Sequence, residues 1–325
     1  MARRAVGIEV NDASIRVVAL RRGRRGAVVD GFASVDHHGA VSATAVVDGA
    51  AYREALEEAL GRAKAGRSHL CIAVACQEVD MRELEFPVMP ERDLEYTIRF
   101  ELANVVRFGK GGEEELLFDY APIPGDQQGG RRRLISVAVP RHVVRSYLDP
   151  LYAVGIYPEI LEMGAFSLPW ACPREGGVCY VHTTGGGAHV LIYESQEFRL
   201  TRVVNVNLAS LVAEAHRRRE RGEASLDAPL AVRAFEELAL AVERTLDYHR
   251  ARRRGASITD LIDGLVISGE LGRDAQLALE FGRRIGIPAT AADPIIGPGD
   301  AHTFGEDAPL YAVACGMAAR GLERL

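Results

Sequence analysis

The stretch that decides the fold is VGIEVNDASIRVVAL, residues Val6–Leu20. Two β-branched runs, VGIEV and SIRVVAL, flank the polar turn Asn11-Asp12-Ala13, and a third run, AVVDGFASV (Ala27–Val35), follows the basic turn RRGRRG. Short β-branched runs separated by Gly, Asn and Asp read as a meander, because those residues accept backbone conformations that a strand interior refuses. The plan returns in GVCYVHTTGGGAHVLIY (Gly177–Tyr193), followed by the tight turn ESQ and the strand EFRLTRVVNV. A spacing of ~170 residues is too long for a solenoid and suits two related lobes. The length of 325 residues agrees, being about twice an ordinary domain.

Working outward, residues 49–63 place Ala51, Ala55, Leu56, Ala59 and Leu60 on one helical face. LCIAVA (Leu70–Ala75) is a continuous apolar run of the kind a buried central strand needs. Past the second meander come a long helix at 229–254, the strand DGLVISGE (Asp263–Glu270), the helix DAQLALEFGRRIG and an Ala-rich terminal helix. Residues 80–159 have a different texture. There, PERDLEYTIRFELANVVRF is an amphipathic helix opened by Pro90 and an acidic first turn. LLFDYAPI and LISVAVP are strands about a polar glycine-rich tip, RHVVRSYLDPLYAVG is a helix and YPEILEM a strand. The expected organisation is therefore a first lobe over 1–79, 160–175 and 305–325, an α+β insert over 80–159, and a second lobe over 176–304.

Composition narrows the function. A net charge of −6 gives no electrostatic case for nucleic acid or an anionic membrane as partner. All but two of the 39 basic residues are Arg, which reads as a codon effect before phosphate recognition. Five scattered cysteines without a CxxC pair predict small buried thiols, no zinc site and a reducing compartment. The N-terminus meets Glu9 too early for a signal peptide, and no uncharged run is long and apolar enough to span a bilayer. His37-His38 reads as a solvated pair after a strand. The clusters at His216–Arg219, His249–Arg254 and Arg131–Arg133 read as solvated basic faces. Ser195 lacks the GxSxG context of a hydrolase nucleophile, and no nucleophile–base constellation occurs.

The opening hairpin resembles the first phosphate loop of the actin/Hsp70/sugar-kinase superfamily. More specifically, it is similar to the PilM branch, the actin-like proteins of type IV pilus assembly. Three further stretches carry the resemblance: FPVMPERDLEYTIRFELANVVRF with LLFDYAPI, VAVPRHVVRSYLDPLYAVGIYPEILEMGAFSL, and IGIPATAADP with YAVACGMAARGL. The resemblance implies a two-lobed, duplicated actin-like α/β fold with a small α+β insert in the first lobe.

It also implies a nucleotide cleft, and here the chain departs from the pattern. Glu9 stands where the family usually has a metal-holding Asp, and Asn11, with Asp12 and Ser14 beyond it, where a glycine should let phosphate approach. In the second hairpin His182 replaces the expected Asp and Thr184 the glycine; Thr183, Gly185 and Gly186 complete that turn. Neutral imidazole is a poor ligand for Mg²⁺. The adenosine-side turn is Ser268-Gly269-Glu270, with one glycine of an expected pair. The expectation is weak or absent ATP binding, no cofactor, no metal and no catalytic residue.

Functionally, the resemblance implies a cytoplasmic scaffold, peripheral at the inner membrane, of a pilus or type II secretion-like machine. Its insert would grip the N-terminal cytoplasmic tail of a bitopic inner-membrane partner, the PilN role, in a groove lined by Phe86, Tyr96, Phe100, Val106, Arg107 and Phe108. A pilus motor ATPase, a platform protein and a homo-oligomeric ring are further expected contacts. The alternative is an active actin-fold ATPase or small-molecule kinase that closes on Mg-ATP.

Overall fold

In the computed structural model, placement is described for residues 3–24, 26–67, 69–106, 115–124, 130–221, 226–253, 257–294 and 303–325. Strands β1 (Arg4–Val10), β2 (Ser14–Gly23) and β3 (Gly26–Asp36) form the expected antiparallel meander. Helix α1 (Gly49–Arg62) starts where the Asp48 side chain accepts the amides of Ala50 and Ala51, and it buries Tyr52, Ala55, Leu56, Ala59 and Leu60. It leads to β4 (Leu70–Val74), which lies parallel to β1 and is buried along its whole length.

The chain then leaves the lobe. Strand β5 (Asp80–Pro87), helix α2 (Glu91–Val105), β6 (Leu116–Pro122) and β7 (Arg131–Pro140) build a three-stranded antiparallel sheet in the order β5-β7-β6. α2 lays Leu94, Ile98 and Leu102 onto it, against Leu134 and Ala138. Helix α3 (Arg141–Tyr152) returns to the first lobe. Its buried Val143, Tyr147 and Leu151 join the core of α1, β1 and β4. Strand β8 (Ile160–Met163) completes a five-stranded sheet in the order β3-β2-β1-β4-β8, and α4 (Leu168–Ala171) is a single turn.

The second lobe repeats this plan. β9 (Gly177–Thr183), β10 (Ala188–Glu194) and β11 (Glu197–Val204) form a meander. Helices α5 (Ala209–Arg221), α6 (Pro229–Ala251) and α7 (Ile258–Leu261) precede β12 (Gly264–Gly269), which runs parallel to β9. Helix α8 (Ala275–Ile285) and β13 (Ala289–Ala291) finish a sheet in the order β11-β10-β9-β12-β13. Three antiparallel strands and then two parallel ones thus occur in the same order in both sheets, which is the two-lobed α/β architecture expected.

The terminal helix α9 (Ala308–Arg324) holds the halves together. It is buried nearly all round, and its core joins Ala5, Val18 and Leu20 of the first sheet to Val178, Tyr180 and Val266 of the second. Helix and sheet approach so closely that a Cβ on Gly7 would stand 1.9 Å from the carbonyl oxygen of Ala314, so only glycine fits there. All five cysteines are buried free thiols. Among the described residues no helix is long and apolar enough to cross a membrane.

Candidate functional site: a cleft closed by its own charges, and the insert

The duplication makes Glu9 and His182 structural counterparts. Each is the sixth residue of the first strand of its meander, the middle strand of its five-stranded sheet, and the two strands face each other across the inter-lobe cleft. Their cross-strand partners correspond as well: Arg16 lies opposite Glu9 on β2, and His189 opposite His182 on β10. The lobes meet through these side chains. The His182 Nε2 sits 3.2 Å from Glu9 Oε1, the Arg16 guanidinium donates to the same oxygen at 3.3 Å, and Asn11 Nδ2 donates to it at 3.2 Å. The other arm of Arg16 reaches across to Glu270 of the second lobe, whose second oxygen contacts His216 Nε2 at 3.3 Å.

The inner part of this chain of charges is dry, while His216 at its outer end is 45% exposed. The side chains of Glu9, Arg16 and His182 are between 1% and 4% exposed. Burial by itself raises the Glu9 carboxyl, but Arg16 and His182 outweigh it and hold the group below the usual carboxylate range. Glu270 follows the same logic: burial raises it, and His216 together with Arg16 brings it down to about 2. Arg16, between two carboxylates, is held more firmly protonated than usual despite its burial.

The turns expected to cradle phosphate are likewise engaged with protein. The Asn11 side chain accepts the amides of Ala13 and Ser14 at 2.9 Å each, and its carbonyl meets His37 Nε2 at 2.9 Å. His37 is therefore buried beneath the first turn, which corrects the expected solvated pair. In the second hairpin Thr184 closes its own turn through a 2.9 Å bond to the Gly187 carbonyl, and Gln77 of the first lobe donates to the Gly186 carbonyl. Asp12 fills the space over the glycines, its carboxylate 2.8 Å from where a Cβ on Gly185 would stand. Ser268 hydrogen-bonds His182 Nδ1 at 3.1 Å. Gly269 adopts φ +74° with its α-carbon hard against the Thr183 carbonyl, where a Cβ would stand 2.0 Å from the oxygen. What remains is a cavity of about 40 Å³ edged by Asp12, Gln77, His182, Thr184 and Gly186. That volume holds water, whereas pockets for drug-sized ligands begin at roughly 300 Å³.

The residues present do not fit Mg-ATP. The first-hairpin carboxylate is bound by a guanidinium and an imidazole, the second hairpin offers no carboxylate, and Asp12 and Gln77 lie over its glycines. The structure brings together Glu9, Asn11, His182, Ser268 and Glu270 as one cluster; Asp12, Thr184, Gly185 and Gly186 form its adjoining wall, while Thr183 is buried behind it. Arg16 carries no motif of its own, and His216, expected on a solvated face, turns its Nε2 to Glu270. One signal was available for Arg16: a lone charge inside the apolar run SIRVVAL must find a buried partner.

The insert sorts its candidates differently. Phe86 and Val106 pack into its core. Tyr96 and Phe100 stand one helical turn apart on the outer face of α2, 73% and 62% exposed. Arg107 and Phe108 lie outside the described residues. Beside α2, strand β6 pairs only with β7 among the described residues. A groove of about 350 Å³ runs along it, walled by Arg99, Phe118, Tyr120 and Arg141, with the Arg99 guanidinium stacked 4.9 Å over the Phe118 ring.

Comparison with known proteins fits this anatomy. The family described as type IV pilus assembly protein PilM matches residues 7–188. The structure resembles that of a PilM-PilN type IV pilus biogenesis complex with a TM-score of 0.77 at 18% identity, covering 98% of both chains. It also resembles MreB5 of Spiroplasma citri bound to ADP, with a TM-score of 0.50 at 11% identity, over 97% of this chain and 94% of that one. No curated protein matches the sequence. At these identities the two structures speak for the fold, which is actin-like. The family match covers more than half the chain, from the first hairpin through the insert to the opening of the second. On that span this chain belongs to the type IV pilus assembly protein PilM family.

Proposed function

We propose that the protein is a cytoplasmic scaffold that works without bound nucleotide and grips the N-terminal tail of a bitopic, PilN-like inner-membrane protein. The observation that carries this reading is the ionic chain Glu9–Arg16–Glu270, with His182 and His216 at its flanks. It joins the lobes by protein groups at the place where the wider superfamily holds Mg-nucleotide. Two features support the peptide-binding half: the likeness to the PilM-PilN complex, and an insert that leaves aromatic side chains in water beside a strand edge with no second partner among the described residues. An extended tail would add to β6 through main-chain hydrogen bonds and place alternate apolar side chains against α2. Membrane association would then come through that partner, with a motor ATPase, a platform protein or further copies of the chain docking elsewhere.

The test is titration of the full chain with the N-terminal peptide of the membrane partner, with and without Mg-ATP. Binding should be equal in both conditions and should fall at least tenfold in the double variant Tyr96→Ala, Phe100→Ala. Peptide binding that requires nucleotide, or crystals soaked in Mg-ATP with triphosphate ordered between Glu9 and His182, would overturn the scaffold reading in favour of an ATPase or kinase.

A further inference from the structure

The second lobe and the insert meet at a cavity that the peptide-binding role leaves unused. It measures about 380 Å³ and lies between β5 and β7 of the insert and β11 and the end of α6. Arg131 and Arg133 reach into it from β7, Arg199 from β11, and Arg252 and Arg253 from the turn that ends α6. Against these five guanidiniums the lining carries Glu83 and Glu85, and Glu194 and Glu197 pair with them from just behind it, which leaves a small positive surplus. In a protein of net charge −6, the cavity is a local inversion of sign.

The arginines are already arranged as clamps around oxyanions. Glu83 is bridged by Arg133 from the insert and Arg252 from the second lobe. Behind the cavity, Glu194 receives Arg199 at 3.1 Å, Arg253, and His249 at 2.8 Å. A guanidinium is a planar fork that suits phosphate as well as carboxylate. The Arg252 guanidinium also stacks 4.5 Å over the Tyr248 ring, which fixes its plane at the cavity wall. A simple ionic contact between two subdomains would close over its charges to strengthen them. Here the cationic lining surrounds open volume.

We propose that this cavity binds a small, multiply phosphorylated ligand, with Arg131 and Arg133 holding one end and Arg252 and Arg253 the other. Because the two pairs belong to different subdomains, occupancy fixes the insert against the second lobe. The ligand thereby sets the orientation of the surface that carries Tyr96 and Phe100.

Inorganic pyrophosphate, added to the full chain without magnesium, is the probe. Calorimetry at low salt should show one saturable site, absent with sulfate at matched ionic strength. Affinity should fall at least tenfold in Arg252→Ala, Arg253→Ala and again in Arg131→Ala, each variant checked for native circular dichroism. Hydrogen exchange gives a second reading: pyrophosphate should slow exchange in β5 and the last turn of α6 and leave β1 and β9 unchanged. Heat no greater than that of sulfate, variants that bind as well as the parent, or protection confined to the cleft strands would each overturn the proposal. So would a cavity that ignores pyrophosphate and binds an acidic peptide.

Discussion

Removing the cation from the cleft should be costly, because two buried carboxylates share it. In Arg16→Met a chain of similar length keeps the volume filled, but Glu9 keeps only Asn11 and His182 beside it and Glu270 only His216. Breaking a buried ion pair from one side costs about 3–5 kcal/mol, because the abandoned charge stays desolvated. At about 2 °C per kcal/mol for a chain of this size, the midpoint of thermal unfolding should drop by about 6–10 °C. The pH dependence separates this cause from a packing defect. In the parent protein Glu270 is held at about 2, below its ordinary value. Its contribution is therefore full above the unfolded carboxylate pKa and is lost as pH falls through about 2. Without Arg16 the balance at Glu9 and Glu270 shifts toward burial, which raises their pKa values, so acidification from pH 7 to 5 protonates them and narrows the deficit. Urea unfolding of parent and variant at both pH values measures this. The triple variant Arg16→Met, Glu9→Gln, Glu270→Gln, which removes the buried charges together, should recover most of the loss. A single-variant loss under 1 kcal/mol, or a deficit that does not change with pH, would refute the argument that these charges lock the cleft.

Other expectations are narrower. Tyr96→Ala with Phe100→Ala should leave stability within about 0.5 kcal/mol, since both rings are in water, whereas Ile98→Ala on the buried face should cost about 2–4 kcal/mol by chemical denaturation. Gly269→Ala must accept a left-handed backbone and a collision with the Thr183 carbonyl, and should lose about 3 kcal/mol or more. Burial lifts Glu162 to about 7, only partly offset by Arg320, so its share of stability is complete in acid and is lost as pH rises from about 4.5 through 7. Glu162→Gln should remove about 3 kcal/mol of that pH dependence between unfolding midpoints at pH 4.5 and 8; an unchanged slope would show that Glu162 is not its source.

The two meanders were readable because hairpin physics is local: β-branched runs and turn residues carry their own signal, and their recurrence announced the duplication. Strand β5 is harder to read because DMRELEFP has no β-branched residue, although its alternation places Leu84 and Phe86 on the insert core while Glu83 and Glu85 line the arginine cavity. The cleft network was unreadable for another reason. Arg16 and Glu270 are 254 residues apart, and nothing in either neighbourhood names the other. Arg218 made the same point on α5: in an apparently solvated basic run it is 1% exposed, with its guanidinium 3.3 Å from Glu280. In the insert, the pattern located the amphipathic helix but could not say which aromatics faced inward, since Phe86 and Phe100 look alike until the sheet beneath α2 is in place.

Helix α9 also constrains how this protein can be born. It covers β1, yet it leaves the ribosome roughly 300 residues after that strand, a separation that puts the decisive contact at the slow, non-local end of folding. Until synthesis reaches α9, the face of β1 around Ala5 and Gly7 lacks the cover that α9 gives it, and exposed apolar sheet of that kind is prone to aggregate. Insertions or tags placed within α9 should therefore trap the growing polypeptide in aggregates, even when every other part of it is intact.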